Sequence, residues 1–160
     1  MNSFTKLFVM LLLLTFSLSL ALVPFSSSGA AELKLKMEIN KSSIVTGENI
    51  NFTLSLINTG NQTLTINFTP PFFDIICHSP EGYCYKWSDD KCSIQVFLSL
   101  TLDPGENYTE TLKWNLYRYE NGEYYPPKPG TYQLYGIAIP AGLMYGPITV
   151  SYTHLTLPTN

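Results

Sequence analysis

Three cysteines and a neighbouring histidine are the residues of this 160-residue sequence that could do covalent or metal chemistry. A turn at Pro80-Glu81 predicts a hairpin in which residues 77 and 84 face each other across two strands. Cross-strand Cβ atoms lie about 4.5–5.5 Å apart, which permits a disulfide between Cys77 and Cys84. Cys92 would then be free or bridge to another chain, and Cys77–Cys92 or Cys84–Cys92 bridges are alternatives.

A zinc site is the sharper alternative for the same residues, because three thiolates and the His78 imidazole could hold zinc tetrahedrally. Consecutive residues of a strand point to opposite faces, so Cys77 and His78 would not reach one ion without breaking the pleat. We therefore expect the disulfide, no metal and no cofactor.

Catalytic residues are sparse. His78 is the only histidine before the last ten residues, and a hydrolase triad needs a histidine beside its nucleophile. A glycosidase needs two carboxylates across a cleft, and no spacing selects such a pair. No glycine-rich phosphate loop is present. We expect a binding protein and not an enzyme.

A binding loop is predicted over residues 117–129, where tyrosines alternate with glycine and proline. Tyrosine and arginine are enriched at protein interfaces, and proline lowers the entropy lost on binding. The candidate binding residues are Tyr117, Arg118, Tyr119, Tyr124, Tyr125, Pro126 and Pro127. The partner would be a protein or a surface glycan; alternatively, these rings pack back on the domain. The turn at residues 79–82 is a second candidate.

Strand signals dominate the rest of the chain. Leu33, Leu35, Met37 and Ile39 alternate with polar residues, and similar alternation runs through residues 50–56, 64–68, 94–102 and 108–114. Turn residues separate these runs. The pattern predicts an all-β fold, an immunoglobulin-like β-sandwich of about seven or eight strands. The net charge of −3 gives no basic footprint for nucleic acid.

The N-terminal residues have the composition of a targeting segment. Lys6 precedes an apolar run over residues 7–23, and small residues follow at 26–31. This order predicts a signal peptide over residues 1–30. The alternative is an uncleaved N-terminal anchor, which would be the only part of the protein in contact with a membrane. We expect a secreted or cell-surface location, with the sandwich over residues 32–150.

The last ten residues, 151–160, resemble an in-frame translation of a sequencing-library adapter, as found on genes from metagenomic contigs. We expect them to be non-native and the readable domain to end near Thr149.

Five Asn-x-Ser/Thr sequons are candidates for glycan attachment in an exported protein. They are Asn40, Asn51, Asn61, Asn67 and Asn107.

Several dispersed pieces resemble the BsuPI family, named for an inhibitor of an intracellular serine protease. They are residues 52–58 with Gly60, Phe73-Asp74-Ile75, Glu81-Gly82, Trp87-Ser88, Leu102-Asp103-Pro104-Gly105-Glu106, Trp114 and Pro129-Gly130-Thr131-Tyr132. The resemblance covers residues 49–139. It implies a β-sandwich and a protease as the protein partner. The alternative function is a structural immunoglobulin-like domain of a larger, truncated surface protein.

Overall fold

The computed structural model describes residues 32–92 and 94–153, and in these ranges the chain forms twelve strands and no α-helix. Eight of these strands have five residues or more, which agrees with the seven or eight strands predicted. The other four have three residues each. The twelve strands are β1 (Leu33–Ile39), β2 (Ser43–Val45), β3 (Ile50–Asn58), β4 (Leu64–Phe68), β5 (Phe73–His78), β6 (Cys84–Lys86), β7 (Leu98–Leu102), β8 (Asn107–Trp114), β9 (Arg118–Glu120), β10 (Glu123–Tyr125), β11 (Gly130–Ala138) and β12 (Leu143–Thr153).

One layer is a three-stranded antiparallel sheet in the order β1-β3-β8. The alternation read in the sequence sets its two faces, because Phe52, Leu54 and Leu56 of β3 are buried and the residues between them are not. On the outer face, Ser55 and Thr109 are joined by a side-chain hydrogen bond of 2.8 Å.

The second layer is a five-stranded sheet in the order β2-β12-β11-β5-β6, in which only β2 and β12 run parallel. The two layers approach closely at Gly136 of β11, where a Cβ atom would lie 2.8 Å from Leu54 Cδ2 and 2.9 Å from Met37 Sδ. Buried side chains from both sheets fill the space between them. The predicted all-β sandwich is therefore confirmed.

A separate two-stranded ribbon, β4–β7, lies beside the layers. Phe68 of β4 packs edge-on against Phe72, at 4.7 Å between ring centroids. The predicted strand over residues 94–102 is wrong in its first half, because β7 begins at Leu98 and residues 94–97 have no strand partner among the described residues.

The predicted signal peptide and the predicted non-native tail lie at the two ends of the chain. The signal segment, residues 1–30, lies outside the described residues, as do residues 154–160. Residues 151–153 complete β12. Ser151 and Tyr152 pair with both β11 and β2, Thr153 pairs with β2 alone, and Tyr152 is buried. Within the described ranges, no helix is long and apolar enough to cross a membrane.

Candidate functional site

The predicted binding loop contains a β-hairpin. β9 and β10 pair antiparallel, with Tyr119 opposite Tyr124 and Arg118 opposite Tyr125. Asn121 and Gly122 form the turn with φ values of 53° and 85°. Two consecutive residues at positive φ are what a type I′ turn requires, and Asn-Gly is the dipeptide that adopts it most readily. This dipeptide was the signal that the loop prediction missed.

Arg118 fixes the hairpin to the body of the domain. Its guanidinium carbon lies 4.1 Å from the ring centroid of Tyr83 and 4.9 Å from that of Tyr125. Its Nη1 also lies 2.7 Å from Glu120 Oε2. A planar cation held between two aromatic faces and a carboxylate has little freedom left, so Arg118 acts as a clamp.

The outer face of the hairpin is aromatic. The rings of Tyr119 and Tyr124 lie 5.0 Å apart, and the Tyr124 hydroxyl donates to Asp90 Oδ2 at 2.9 Å. This hydrogen bond raises the pKa of Tyr124. Tyr124 nevertheless keeps 58% of its surface exposed, so most of its ring is available to a partner.

The hairpin and the turn at residues 79–83 enclose one concavity of about 310 Å³. Tyr83 lies on its turn side and Tyr125 and Pro126 on its hairpin side, while an ion pair between Lys128 and Glu81 spans the two. The two surfaces that the sequence offered as separate candidates are thus one. We call Tyr83, Tyr119, Tyr124, Tyr125 and Pro126 the hairpin surface.

The other predicted binding residues, Pro127 and Tyr117, support the hairpin surface on its core side. Pro127 is buried, and Tyr132 donates from its hydroxyl to the Lys128 carbonyl at 2.7 Å, in the manner of a tyrosine corner. Tyr117 is half-buried and accepts a hydrogen bond at its carbonyl from Trp114 Nε1. Tyr117 also borders a second concavity of about 430 Å³, together with Tyr124.

A buried carboxylate positions the short 3-10 helix Trp87–Asp90 that carries the Tyr124 partner. Asp74 Oδ1 accepts from the Ile75 and Ser88 amides at 2.8 and 3.1 Å, and Oδ2 accepts from the Ser88 hydroxyl at 2.7 Å. Asp74 and Ser88 belong to two of the pieces that carried the family resemblance. Their contact brings these two pieces together in space.

The predicted Cys77–Cys84 disulfide is wrong, and the three cysteines are free thiols. His78, not Cys77, pairs with Cys84, because the connecting loop is five residues long, with the Ser79 amide bonded to the Tyr83 carbonyl. A one-residue change of register reverses the face of every side chain. Cys77 therefore points into the core, where burial raises the pKa of its thiol to about 12, and Cys84 is exposed.

The same geometry argues against shared metal binding by Cys77 and His78. His78 is exposed and its ring lies 5.2 Å from that of Tyr135. No group of three or more His, Cys, Asp or Glu side chains in the described ranges could hold a metal ion.

The five sequon asparagines, at positions 40, 51, 61, 67 and 107, are all exposed. Asn51 and Asn67 lie on outward positions of β3 and β4. Glycan attachment was predicted for an exported protein and depends on that location.

Solved structures share the fold at low sequence identity. A β-glucosidase from Listeria innocua in complex with glucose matches with a TM-score of 0.50 at 14% identity, over 76% of this chain and 16% of the enzyme. The alkylpurine DNA glycosylase AlkC from Pseudomonas fluorescens matches with a TM-score of 0.50 at 15% identity, over 77% of this chain and 31% of AlkC. The chain thus spans less than a third of either protein, and the likeness concerns the fold alone.

No curated protein matches the chain by sequence. The family model described as intracellular proteinase inhibitor, BsuPI, matches residues 37–139, beginning twelve residues before the predicted start at residue 49. The predicted secreted or extracellular location is wrong, because it conflicts with a family described as intracellular. The match covers well over half of the sequence and includes the hairpin and the residues that support it. The chain belongs to the BsuPI family of intracellular proteinase inhibitors.

Proposed function

We propose that this protein is a non-enzymatic, proteinase inhibitor-like domain that binds a protease through the hairpin surface. Family membership supports the class of partner, since the family is described as a proteinase inhibitor. The observation that carries the choice of surface is the exposed aromatic hairpin, braced by Arg118 between Tyr83 and Tyr125.

Preorganisation is what makes this hairpin suitable for tight binding. A flexible loop loses about 0.5–1.5 kcal/mol for each side chain that a partner immobilises. Here the Asn121-Gly122 turn fixes the backbone, and the Tyr124–Asp90 hydrogen bond fixes a ring before any partner arrives. Tyrosine adds contact area at a low entropy cost, because it has two side-chain torsions.

Replacing Tyr124 with alanine tests the proposal. The full-length protein should inhibit at least one member of a panel of serine proteases, and Tyr124→Ala should weaken that inhibition by roughly 10-fold or more, as for a truncated interface aromatic. Tyr145→Ala is the matched control, because Tyr145 is also partly exposed, at 38%, but lies on β12 outside the hairpin surface.

An unchanged inhibition constant in Tyr124→Ala would remove the hairpin surface from the proposal. Inhibition of no protease at stoichiometric concentrations would reject the inhibitory function. It would favour the alternative, a structural immunoglobulin-like domain.

A further inference from the structure

Residues 94–98 form an apolar segment that the sandwich does not bury. Ile94, Val96, Phe97 and Leu98 are all exposed, and Phe97 keeps 86% of its surface. Residues 94–97 pair with no other strand in the described part of the chain. Large apolar side chains that lie together on a surface mark interaction sites.

The segment has no charge to keep other chains away. No charged residue occurs between Lys91 and Asp103. Exposed strand edges in native proteins are usually protected by charges, prolines or a covering element. None of these protects residues 94–98 within the ranges that the structure describes, so the exposed segment is suited to a partner.

The segment is held firmly on its C-terminal side. Leu98 pairs with Phe68 at the start of the β4–β7 ladder. Phe97 borders a concavity of about 280 Å³ together with Phe68 and Ile139. The ladder fixes where the segment emerges, which lowers the entropy that binding would cost.

The segment is distinct from the hairpin surface. It lies beside Ile139, whose amide bonds to the Phe72 carbonyl at the Phe73 end of β5. The hairpin packs on the turn that follows His78, at the other end of β5. β5 has six residues, and at about 3.3 Å per residue the two surfaces are separated by roughly 17 Å along this strand.

We propose that residues 94–98 act as a substrate-like segment that enters the active-site cleft of a protease, with Phe97 in its specificity pocket. This inference rests on the proposed inhibitory function and adds a second contact with the same protease, outside the hairpin surface. Exposed backbone can add a strand to a receptor, and its side chains then fill pockets. One protruding ring fits a deep pocket better than it fits a flat strand-to-strand contact with a second copy. The expected target has a hydrophobic specificity pocket of the chymotrypsin kind. Binding is non-covalent.

A change of specificity tests this assignment. Full-length wild type, Phe97→Leu and Phe97→Lys are titrated against chymotrypsin, subtilisin and trypsin. Phe97→Leu should keep inhibition within about 10-fold, whereas Phe97→Lys should lose roughly 30-fold or more against proteases with hydrophobic pockets. Phe97→Lys should gain inhibition of trypsin, whose pocket carries an aspartate.

Met144→Lys is the matched control, since Met144 is another large apolar residue with 60% of its surface exposed. It should behave as wild type against all three proteases. Equal thermal stability of the two lysine variants confirms that the fold is intact.

The outcomes separate the two proposals. If wild type inhibits and Phe97→Lys inhibits equally well with no gain against trypsin, the segment is not the inhibitory contact, and the inhibitory function stands. If wild type inhibits no protease, the proposed function fails and this inference fails with it.

Discussion

Replacing Asp74 with alanine should destabilise the domain strongly, because its carboxylate is buried and accepts three hydrogen bonds. Hydrogen bonds to a charged group contribute about 1.5–3 kcal/mol each. Ser88 is half-buried and can recover part of this from water. The expected loss in the free energy of unfolding is therefore about 3–4 kcal/mol, somewhat below the sum of about 4.5–9 kcal/mol for three such bonds.

Two further variants divide this loss into its parts. Asp74→Asn keeps the shape and one acceptor oxygen for the two amides, so it should cost only about 1 kcal/mol through the loss of charge. Ser88→Ala removes the hydroxyl donor alone and should cost about 1–1.5 kcal/mol. Because Asp74 and Ser88 share one hydrogen-bond network, the two alanine substitutions should be non-additive.

Urea denaturation of the full-length variants, followed by tryptophan fluorescence, measures these differences. Trp87 reports directly, since it begins the 3-10 helix that Asp74 holds. A loss of less than 1 kcal/mol in Asp74→Ala, or equal losses in the alanine and asparagine variants, would refute the reasoning that this carboxylate is the anchor of the helix.

Two other predictions concern titratable groups. At pH 8 a thiol-reactive dye should label Cys84 and Cys92 rapidly and Cys77 only on unfolding, because the buried Cys77 thiol has its pKa raised to about 12 and the thiolate is the reactive form; three equal rates, or fewer than three thiols after denaturation, would contradict this. Burial also raises the pKa of Tyr132 to about 12, from an ordinary value of about 10. The folded state therefore keeps this proton when the unfolded state has lost it, and the resulting stability is complete below about pH 10 and is lost between about pH 10 and 12. Urea titrations at pH 9 and 11.5 should show a smaller loss in Tyr132→Phe than in wild type, and an equal loss would count against the assignment.

The sequence predicted well the strands that have one buried face. In β3 every second residue from Ile50 to Asn58 is buried. In β8, where alternation over residues 108–114 predicted a strand, Leu112 and Trp114 of one face are buried. Burial of one face repeats with the period of the strand, so a single sequence carries the information.

Register was harder to predict, because it depends on the number of residues in the loop. The turn after β5 takes in Ser79, whose hydroxyl accepts from the Tyr83 amide at 3.0 Å, and the loop is longer than the predicted turn. This one-residue change separated Cys77 from Cys84. The hairpin of β9 and β10 was missed for another reason: its strands have three residues each and too few positions to show alternation.

The alternation of apolar and polar residues also predicted a β7 that is too long at its N-terminal end. Ile94 and Val96 continue the apolar period of Leu98 and Leu100, but β4 ends at Phe68 and offers them no partner. Whether a strand forms depends on its neighbour in the sheet, which a pattern within one segment does not contain.

The parallel pairing of β2 with β12 determines how the domain would bear tension. Ser43–Val45 align with Ser151–Thr153, so strands from early and late in the chain lie side by side and run the same way. Tension reaching them from opposite ends of the domain would pull the two strands past each other lengthwise. Their hydrogen bonds would then be loaded in shear, all at once, instead of opening one after another. In this structure β2 and β12 would therefore be the strand pair that resists tension, and residues 151–153, which belong to the tail predicted to be non-native, supply the β12 half of it.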